Sequence, residues 1–197
     1  MSCRVYLILA VCYMGNKVTN TRIVGAGVLL ISKYNDEPCI VIYQMARRHP
    51  VAIIMCDTLG GHIDNDERPH EAAVREAYEE SAATIKISPT TLLDMDISRK
   101  FVDVPNYNER GCYFRAYVVS VKNVHEDAYC RNVRYFLRNG PKHYAETDEL
   151  VRCYMSDVYR FIKNNNTSII LDVTGRERRL TKRTVSILRA FHAARML

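Results

Sequence analysis

The chain carries short apolar runs, rich in β-branched residues and separated by turn-forming residues, which predict β-strands. Such runs lie at residues 3–13, 22–32, 39–44 and 112–121, and two later ones lie at residues 150–155 and 168–173. Residues 85–97 are also predicted to be extended, and residues 105–110 to form a loop. Apolar residues recur at helical spacing at residues 128–137. Strands mixed with a few helices are typical of an α/β or α+β sandwich.

Two more helices are predicted in the last third of the chain. One is capped by Ser156 and continues through Ile162, and the other is capped by Thr181. The second has its apolar residues on one side, at Val185, Leu188 and Phe191.

The segment at residues 61–83 predicts a helix of a different kind, because its apolar side is matched by a row of carboxylates. Alanines and Val74 supply the apolar side, and Pro69 suits a first helical turn. The acidic and amide side chains at residues 64–66 are predicted to cap it.

Three glutamates of this helix, Glu76, Glu79 and Glu80, are three and four residues apart and therefore share one face. Like charges this close destabilise a helix, whereas Mg²⁺ or Mn²⁺ would reverse the effect, because these ions prefer hard oxygen ligands. Any two of these glutamates would also fit an ordinary solvated acidic face. Gly60 and Gly61 precede the helix, where backbone can turn sharply and approach a ligand.

The complete pattern resembles the signature of the Nudix hydrolase family, in which a glycine is followed at set distances by a glutamate, an Arg-Glu pair and a Glu-Glu pair. The matching residues are Gly61, Glu67, Arg75, Glu76, Glu79 and Glu80. The departures are alanines at positions 77, 82 and 83, which are packing or capping positions. The resemblance implies a Nudix-type α/β/α sandwich with a mixed β-sheet. It implies one domain over residues 1–197, with residues 165–197 as a basic C-terminal extension packed on the core.

The resemblance also implies divalent-metal-dependent hydrolysis of a pyrophosphate bond in a nucleoside diphosphate linked to another group. Glu79 and Glu80 are then the leading ligands for Mg²⁺ or Mn²⁺. Glu76 is either a ligand or the general base that deprotonates the attacking water. The backbone carbonyl of Gly60 completes one metal shell.

Two further roles follow from the resemblance. Glu67 and Arg75 are expected to form a structural ion pair that holds the loop against the helix. Family members often draw another metal ligand from a later loop, for which Glu146 and Glu149 are the best candidates, with residues 126–127 as the alternative. A solvated acidic turn explains any single one of these carboxylates equally well.

Length and composition fit one globular domain with a sizeable core, since the chain has 197 residues, of which 48% are hydrophobic. No apolar run is long enough to span a membrane, so no membrane partner is expected. Residues 5–14 fit a signal peptide or a buried strand, and the lack of a clear cleavage site favours the strand. Seven scattered cysteines without a Cys-x-x-Cys pair argue against a zinc site and a disulfide framework. Reduced thiols predict a cytoplasmic protein, with the nucleus as the alternative.

The net charge of +6 is concentrated at the C-terminus. Within residues 176–197, seven basic residues face a single glutamate, an excess equal to that of the whole chain. A basic patch attracts phosphate-rich partners, although a solvated basic helix explains the pattern equally well. The candidate RNA- or phosphate-binding residues are Arg176, Arg178, Arg179, Lys182 and Arg183.

The basic segment favours capped RNA as the substrate, with the cap pyrophosphate at the glutamates and the RNA backbone along the arginines. The chain has 13 tyrosines and no tryptophan, so a cap base would stack on Tyr or Phe. A compact core with a basic tail is also similar to decapping Nudix proteins of large DNA viruses. Markers of the ADP-ribose, diadenosine polyphosphate and coenzyme A subgroups are absent, but many family members lack markers.

Three hypotheses are therefore compared. The first is an RNA-decapping pyrophosphohydrolase, and the second is a small-molecule pyrophosphatase for ADP-ribose or dinucleoside polyphosphates. Diphosphoinositol polyphosphates are another phosphate-rich possibility. The third is a catalytically silent module that binds nucleotide or RNA, against which the intact glutamates count.

Overall fold

The computed structural model describes residues 22–46, 53–122, 124–164 and 168–197. The strands found there are β1 (Arg22–Tyr34), β2 (Glu37–Met45), β3 (Cys56–Asp57), β4 (Leu59–His62), β5 (Phe101–Pro105), β6 (Cys112–Ser120), β7 (Thr147–Tyr154), β8 (Ile169–Leu171) and β9 (Glu177–Arg179). The α-helices are α1 (Pro69–Glu80), α2 (Pro89–Ile97), α3 (Glu126–Asn139), α4 (Met155–Lys163) and α5 (Lys182–Ala193), and a 3₁₀-helix covers Lys142–Ala145. The strand predicted at residues 3–13 lies outside the described residues.

Seven of these strands form one mixed sheet with β1 near its centre. The order is β3-β2-β1-β6-β5, while β4 also pairs with β1 and β7 with β2. Strands β1 and β6 run parallel, and every other pair in this sheet is antiparallel. Strands β8 and β9 form a separate hairpin.

The sheet separates two hydrophobic cores, because alternate side chains of a strand point to opposite faces. In β1, Val28 and Leu30 face the first core and Leu29 faces the second. Helices α1, α2 and α3 contribute buried side chains to the first core, and α4 and α5 contribute to the second. Helices on both faces of a mixed sheet form an α/β/α sandwich, so the predicted fold class is confirmed.

The strands with the clearest apolar pattern are confirmed, since β1, β2 and β6 lie within two residues of their predicted bounds. The extended structure predicted for residues 85–97 is wrong, because α2 begins at Pro89. A proline interrupts a strand but fits the first turn of a helix, and Ser88 takes the extended N-cap conformation before it. The apolar pattern does not predict β5, an edge strand that forms by pairing with β6.

The predicted helices of the last third are confirmed with small differences. Helix α3 ends before Gly140, and α4 begins one residue before the predicted cap Ser156, with Tyr154 in the N-cap position. Thr181 caps α5 as predicted, since its Oγ1 accepts a hydrogen bond from the backbone N–H of Thr184 at 3.1 Å. None of the helices in the described ranges combines the length and apolar character that crossing a membrane requires.

The C-terminal segment, residues 168–197, is built into the sandwich. The backbone N–H of Thr181 donates to the carbonyl oxygen of Cys56 at 3.0 Å, and Leu180 forms an isolated parallel bridge with Cys56. Helix α5 thereby starts beside β3. Its fully buried apolar side chains in the second core are Ile187, Leu188 and Phe191.

Replacing Phe191 with alanine should therefore destabilise the whole domain by about 3–5 kcal/mol, because it opens a cavity in the second core. Urea unfolding followed by circular dichroism measures this change. Leu137, which is 60% exposed on α3, is the matched control, and Leu137→Ala should change stability by about 0.5 kcal/mol or less. Equal effects of the two substitutions would contradict the integral role of α5.

Candidate active site

Strand β4 presents a stretch of backbone without side chains to helix α1. It pairs with β1 so that Gly60 lies opposite Gly27 and Gly61 opposite Ala26. Gly60 has a φ of +151°, which residues with a side chain rarely adopt. A Cβ on Gly60 would lie 2.6 Å from the carbonyl oxygen of Ala26 and 2.8 Å from the ring of Phe114. Glycine is therefore required, and the strand stays open to the carboxylates of the helix.

Helix α1 begins later than predicted. Its N-cap is Arg68, whose backbone N–H donates to the side chain of Glu71 at 2.8 Å, and Pro69 takes the first helical position as predicted. The residues at 64–66, predicted to cap the helix, precede it, and Asp66 has a φ of +70°. Aspartate and asparagine favour turns as well as caps, which explains the wrong prediction.

Helix α1 ends without the glycine that closes the family pattern. Ala82 and Ala83 have φ values of +50° and +61°, and the backbone N–H of Ala83 donates to the carbonyl oxygen of Tyr78 at 2.8 Å. A left-handed conformation costs a residue other than glycine roughly 1–3 kcal/mol. Ala82 is fully buried in the first core, and this packing offsets part of the strain.

Arg75 holds the loop before α1 against the helix. Its Nε and Nη2 donate to the two carboxylate oxygens of Glu67 at 2.8 and 2.9 Å, and Nη2 also donates to the carbonyl oxygen of His62 at 2.9 Å. Its Nη1 donates to Glu76 at 2.9 Å and to Glu79 at 3.3 Å. The hydrogen bonds from Arg75 hold the pKa of Glu67 below its usual value. The bidentate geometry supports the structural ion pair predicted for Arg75 and Glu67.

Glu80 and Glu76 turn inward onto the glycines of β4. Glu80 is 7% exposed, and its Oε2 accepts a hydrogen bond from the backbone N–H of Gly60 at 2.6 Å. Burial raises the pKa of Glu80 to about 8, against the opposing effects of Arg183 and of the Gly60 N–H. Burial also raises the pKa of Glu76, whose carboxylate occupies the space that a Cβ on Gly61 would fill. Both carboxylates therefore have a reduced tendency to ionise in the folded protein.

Glu79 faces the 3₁₀-helix, since its Oε1 lies 3.8 Å from Nε2 of His143. Glu146 follows this helix directly, and the hydroxyl of the next residue, Thr147, donates to the carbonyl oxygen of Glu80 at 2.6 Å. The chain on both sides of Glu146 is therefore held at α1, which keeps Glu146 as the candidate for the additional carboxylate.

The alternative carboxylates have other partners. Glu149 forms an ion pair with Arg178, and Glu126 accepts a hydrogen bond from Nη1 of Arg152 at 2.7 Å. Asp127 is exposed on the first turn of α3. Glu126 and Glu149 are thus both engaged with arginines.

A second polar cluster joins β3 to the start of α5, and the sequence pattern does not predict it. Buried Asp57 accepts hydrogen bonds from the hydroxyl of Thr184 at 2.5 Å and from the backbone N–H of Thr58 at 2.8 Å. Nη2 of Arg183 lies 2.9 Å from Asp57, and its guanidinium stacks over Phe114, 4.6 Å from the ring centroid. We call this set the Asp57 cluster.

The Asp57 cluster borders the candidate active site, since Nη2 of Arg183 donates to the carbonyl oxygen of Thr58, two residues before Gly60, at 3.4 Å. Arg183 was grouped by sequence with the phosphate-binding surface, yet its side chain is only 25% exposed and points back to the sheet. The sequence signal that could have predicted the Asp57 cluster is Asp57 itself, a charged residue within the apolar stretch before Gly60.

The other predicted phosphate-binding residues differ in exposure. Arg178 is buried, lies 2.7 Å from Asp172 and pairs with Glu149, so its charge is neutralised inside the protein. Its contacts hold the β8–β9 hairpin against the sheet, and it does not belong to an exposed surface. The exposed members are Arg176, Arg179 and Lys182.

A model of the NUDIX domain matches residues 21–148, which include the glycines of β4, all of α1 and the 3₁₀-helix. The chain belongs to the Nudix family. The matched region ends within β7, so the β8–β9 hairpin and α5 of this Nudix protein lie beyond it.

Several solved Nudix structures are similar over most of the chain. A binary complex of the C. elegans Ap4A hydrolase is 16% identical with a TM-score of 0.46, covering 87% of this chain and 97% of that chain. The M. smegmatis Nudix hydrolase RenU is 14% identical with a TM-score of 0.47, covering 89% and 87%. The NUDIX domain of Shewanella oneidensis NrtR, complexed with ADP ribose, is 11% identical with a TM-score of 0.41, covering 71% and 77%. A comparison with curated proteins finds no match.

Nudix hydrolases generally use Mg²⁺ or Mn²⁺, and the glutamates of this site have the donor chemistry that these ions require. The raised pKa values of Glu76 and Glu80 mark buried carboxylates that a cation would stabilise in their ionised form. Within the described ranges, no three His, Cys, Asp or Glu side chains are already arranged to hold a metal. Arg75 donates to both Glu76 and Glu79, so a cation would displace these N–H groups.

In metal-free protein, the stability should fall as the pH rises from about 4.5 to about 8, because the folded state favours protonated Glu80. The loss attributable to this residue reaches at most roughly 1.4 kcal/mol per pH unit. Chemical unfolding in EDTA at a series of pH values measures it. Glu80→Gln should remove this component, whereas Glu177→Gln, at an exposed position on β9, should keep it. A pH dependence that is identical in Glu80→Gln and in the unmodified protein would contradict the assignment.

Proposed function

We propose that this Nudix protein hydrolyses a pyrophosphate bond in a nucleoside diphosphate joined to another group, with Mg²⁺ or Mn²⁺ as the cofactor. The observation that carries the proposal is the placement of two glutamates of α1 against the glycines of β4, with the third tied to them through an arginine. Glu80 is hydrogen-bonded to Gly60, Glu76 lies over Gly61, and Arg75 connects Glu76 to Glu79.

The residues that would hold the cation are Glu76, Glu79 and Glu80, with the carbonyl of Gly60 and the carboxylate of Glu146. When bound, the cation would neutralise the charge of the phosphates and lower the pKa of a coordinated water. The raised pKa of Glu76 makes its carboxylate a stronger base than an exposed glutamate, which suits a group that accepts a proton from water. Arg75, paired with Glu67, holds the loop before α1 in a fixed position against the helix that carries the glutamates.

The same arrangement argues against a module that only binds nucleotide. A buried carboxylate such as Glu80 costs stability when it ionises, and a binding module gains nothing from it. The three glutamates keep the spacing of the Nudix signature, and Glu76 and Glu80 contact the glycines of β4.

Capped RNA is the substrate that the surface favours. Arg176, Arg179 and Lys182 are exposed, and no ion pair involves them in the described part of the chain. Unpaired arginines attract the RNA backbone and release counterions when it binds. The five predicted basic residues are thereby reduced to three, because Arg178 and Arg183 pair with carboxylates inside the protein.

Glu79→Gln should lower turnover at least about 100-fold, because it removes a negative metal ligand while preserving the shape of the side chain. Steady-state hydrolysis with saturating Mn²⁺ measures the effect. Glu71→Gln, on the same helix but at its start, is the matched control and should stay close to the unmodified protein. Full activity of Glu79→Gln would refute the assigned site.

A substrate panel of capped RNA, ADP-ribose and diadenosine polyphosphate, each with Mg²⁺ and with Mn²⁺, tests the finer proposal. We expect the highest kcat/KM for capped RNA, with release of the cap nucleotide detected by chromatography. A higher kcat/KM for either small molecule would replace decapping with small-molecule hydrolysis. Release of no product from any of the three would contradict the proposed reaction.

A further inference from the structure

A cavity of about 320 Å³ lies between the β8–β9 hairpin and the edge of the main sheet, and we call it the hairpin cavity. Its volume is at the lower end of the range for small-ligand sites. The residues that line it are Gln44, Ile54, Cys56, Ile169 and the four residues of the segment 176–179. It is built largely from the C-terminal segment beyond the matched NUDIX region.

The lining combines an apolar side with free cationic groups. Ile54 is 40% exposed, and together with the partly exposed Ile169 it offers an apolar surface against which a flat ring can pack. Arg176 and Arg179 are exposed, and neither has an ion pair within the described ranges. An apolar wall beside unpaired guanidinium groups suits a nucleobase attached to phosphates.

The remaining charges of the cavity are balanced inside the protein. Arg178 donates to Asp172 at 2.7 Å, to Gln44 at 3.0 Å and to Glu149 at 2.9 Å. These contacts fix the hairpin, so the cavity has a defined wall. Glu177 also lines the cavity and is exposed, and its negative charge partly offsets the positive charge of Arg176 and Arg179.

The hairpin cavity lies near the candidate active site along the chain. Cys56 lines the cavity, and Gly60, which binds Glu80, follows it four residues later, so the two residues are at most roughly 13 Å apart. Between them lies Asp57, which holds the start of α5. An RNA chain covers such a distance within a few nucleotides.

We propose that the hairpin cavity is a subsite for single-stranded RNA. A base packs against Ile54 and Ile169, and Arg176 and Arg179 contact the phosphates of the strand. The proposal deepens the proposed function and rests on it, because the cavity would hold the body of a transcript whose 5′ end reaches the glutamates. Binding itself requires no hydrolysis and can be measured separately.

The test is fluorescence anisotropy of the full chain with a labelled, uncapped RNA of about ten nucleotides, over a range of salt concentrations. Arg176→Gln/Arg179→Gln should weaken binding about tenfold at low salt. It should also reduce the slope of log K against log salt by about 1.4, since each phosphate contact on a single strand contributes about 0.7. The matched control is Arg134→Gln/Arg138→Gln, which removes the same charge from exposed positions on α3.

Two further variants test the apolar wall of the cavity and the acid beside it. Ile54→Ser removes the apolar wall without changing any charge, and it should weaken binding several-fold. Glu177→Gln should strengthen binding, because it removes the opposing charge. Thermal unfolding checks that each variant is folded, which is expected because every altered side chain is exposed.

Equal binding by the two double variants would overturn the proposal, and so would unchanged binding by Ile54→Ser. The binding of uncapped RNA by these variants is measured separately from the turnover that Glu79→Gln tests. Loss of RNA binding in the cavity variants with no hydrolysis of any substrate would refute the proposed function and leave the RNA subsite standing. Normal hydrolysis together with RNA binding that the cavity variants do not change would refute the RNA subsite and leave the proposed function standing.

Discussion

The hydrogen bond from the backbone of Gly60 to the buried carboxylate of Glu80 is the contact on which the site depends. It forms only because β4 has no side chain at this point, and β4 can lie so close to β1 only because Gly27 is opposite. The ring of Phe114 fills the space beneath these glycines. Core packing thus determines where α1 lies and how deep its carboxylates are buried. The raised pKa of Glu80 is a consequence of that depth.

The second face of the sheet contributes to the same place. Arg183 stacks on Phe114 from the side of α5 and pairs with Asp57, immediately before the glycine strand. The start of α5 therefore supports the strand that carries Gly60 from the side opposite α1. The C-terminal segment is therefore structural near the glutamates, whereas its hairpin exposes Arg176 and Arg179. This division explains why a single basic stretch of sequence has two roles in the structure.

Much of the fold could be predicted because its signals are local. The apolar runs of β1, β2 and β6 and the capping Thr181 of α5 depend on neighbouring residues alone. Strand β5 could not be predicted, because it exists by pairing with β6. Residues 85–97 were assigned wrongly because a proline is compatible with both a break and a helix start. The glutamate spacing was predictable, since a helix converts spacing directly into geometry, whereas the Arg75–Glu67 pair was predicted from the resemblance to the Nudix signature.

By itself, the sequence determined the helix with its three glutamates, the glycines before it and the concentration of positive charge near the C-terminus. Only the tertiary structure decided which of these charges are available. Arg178 and Arg176 are two residues apart in the same basic run, yet the first is buried against Asp172 and the second is exposed. The physical reason is that charge is a property of a residue, whereas burial and pairing depend on residues far away in the chain.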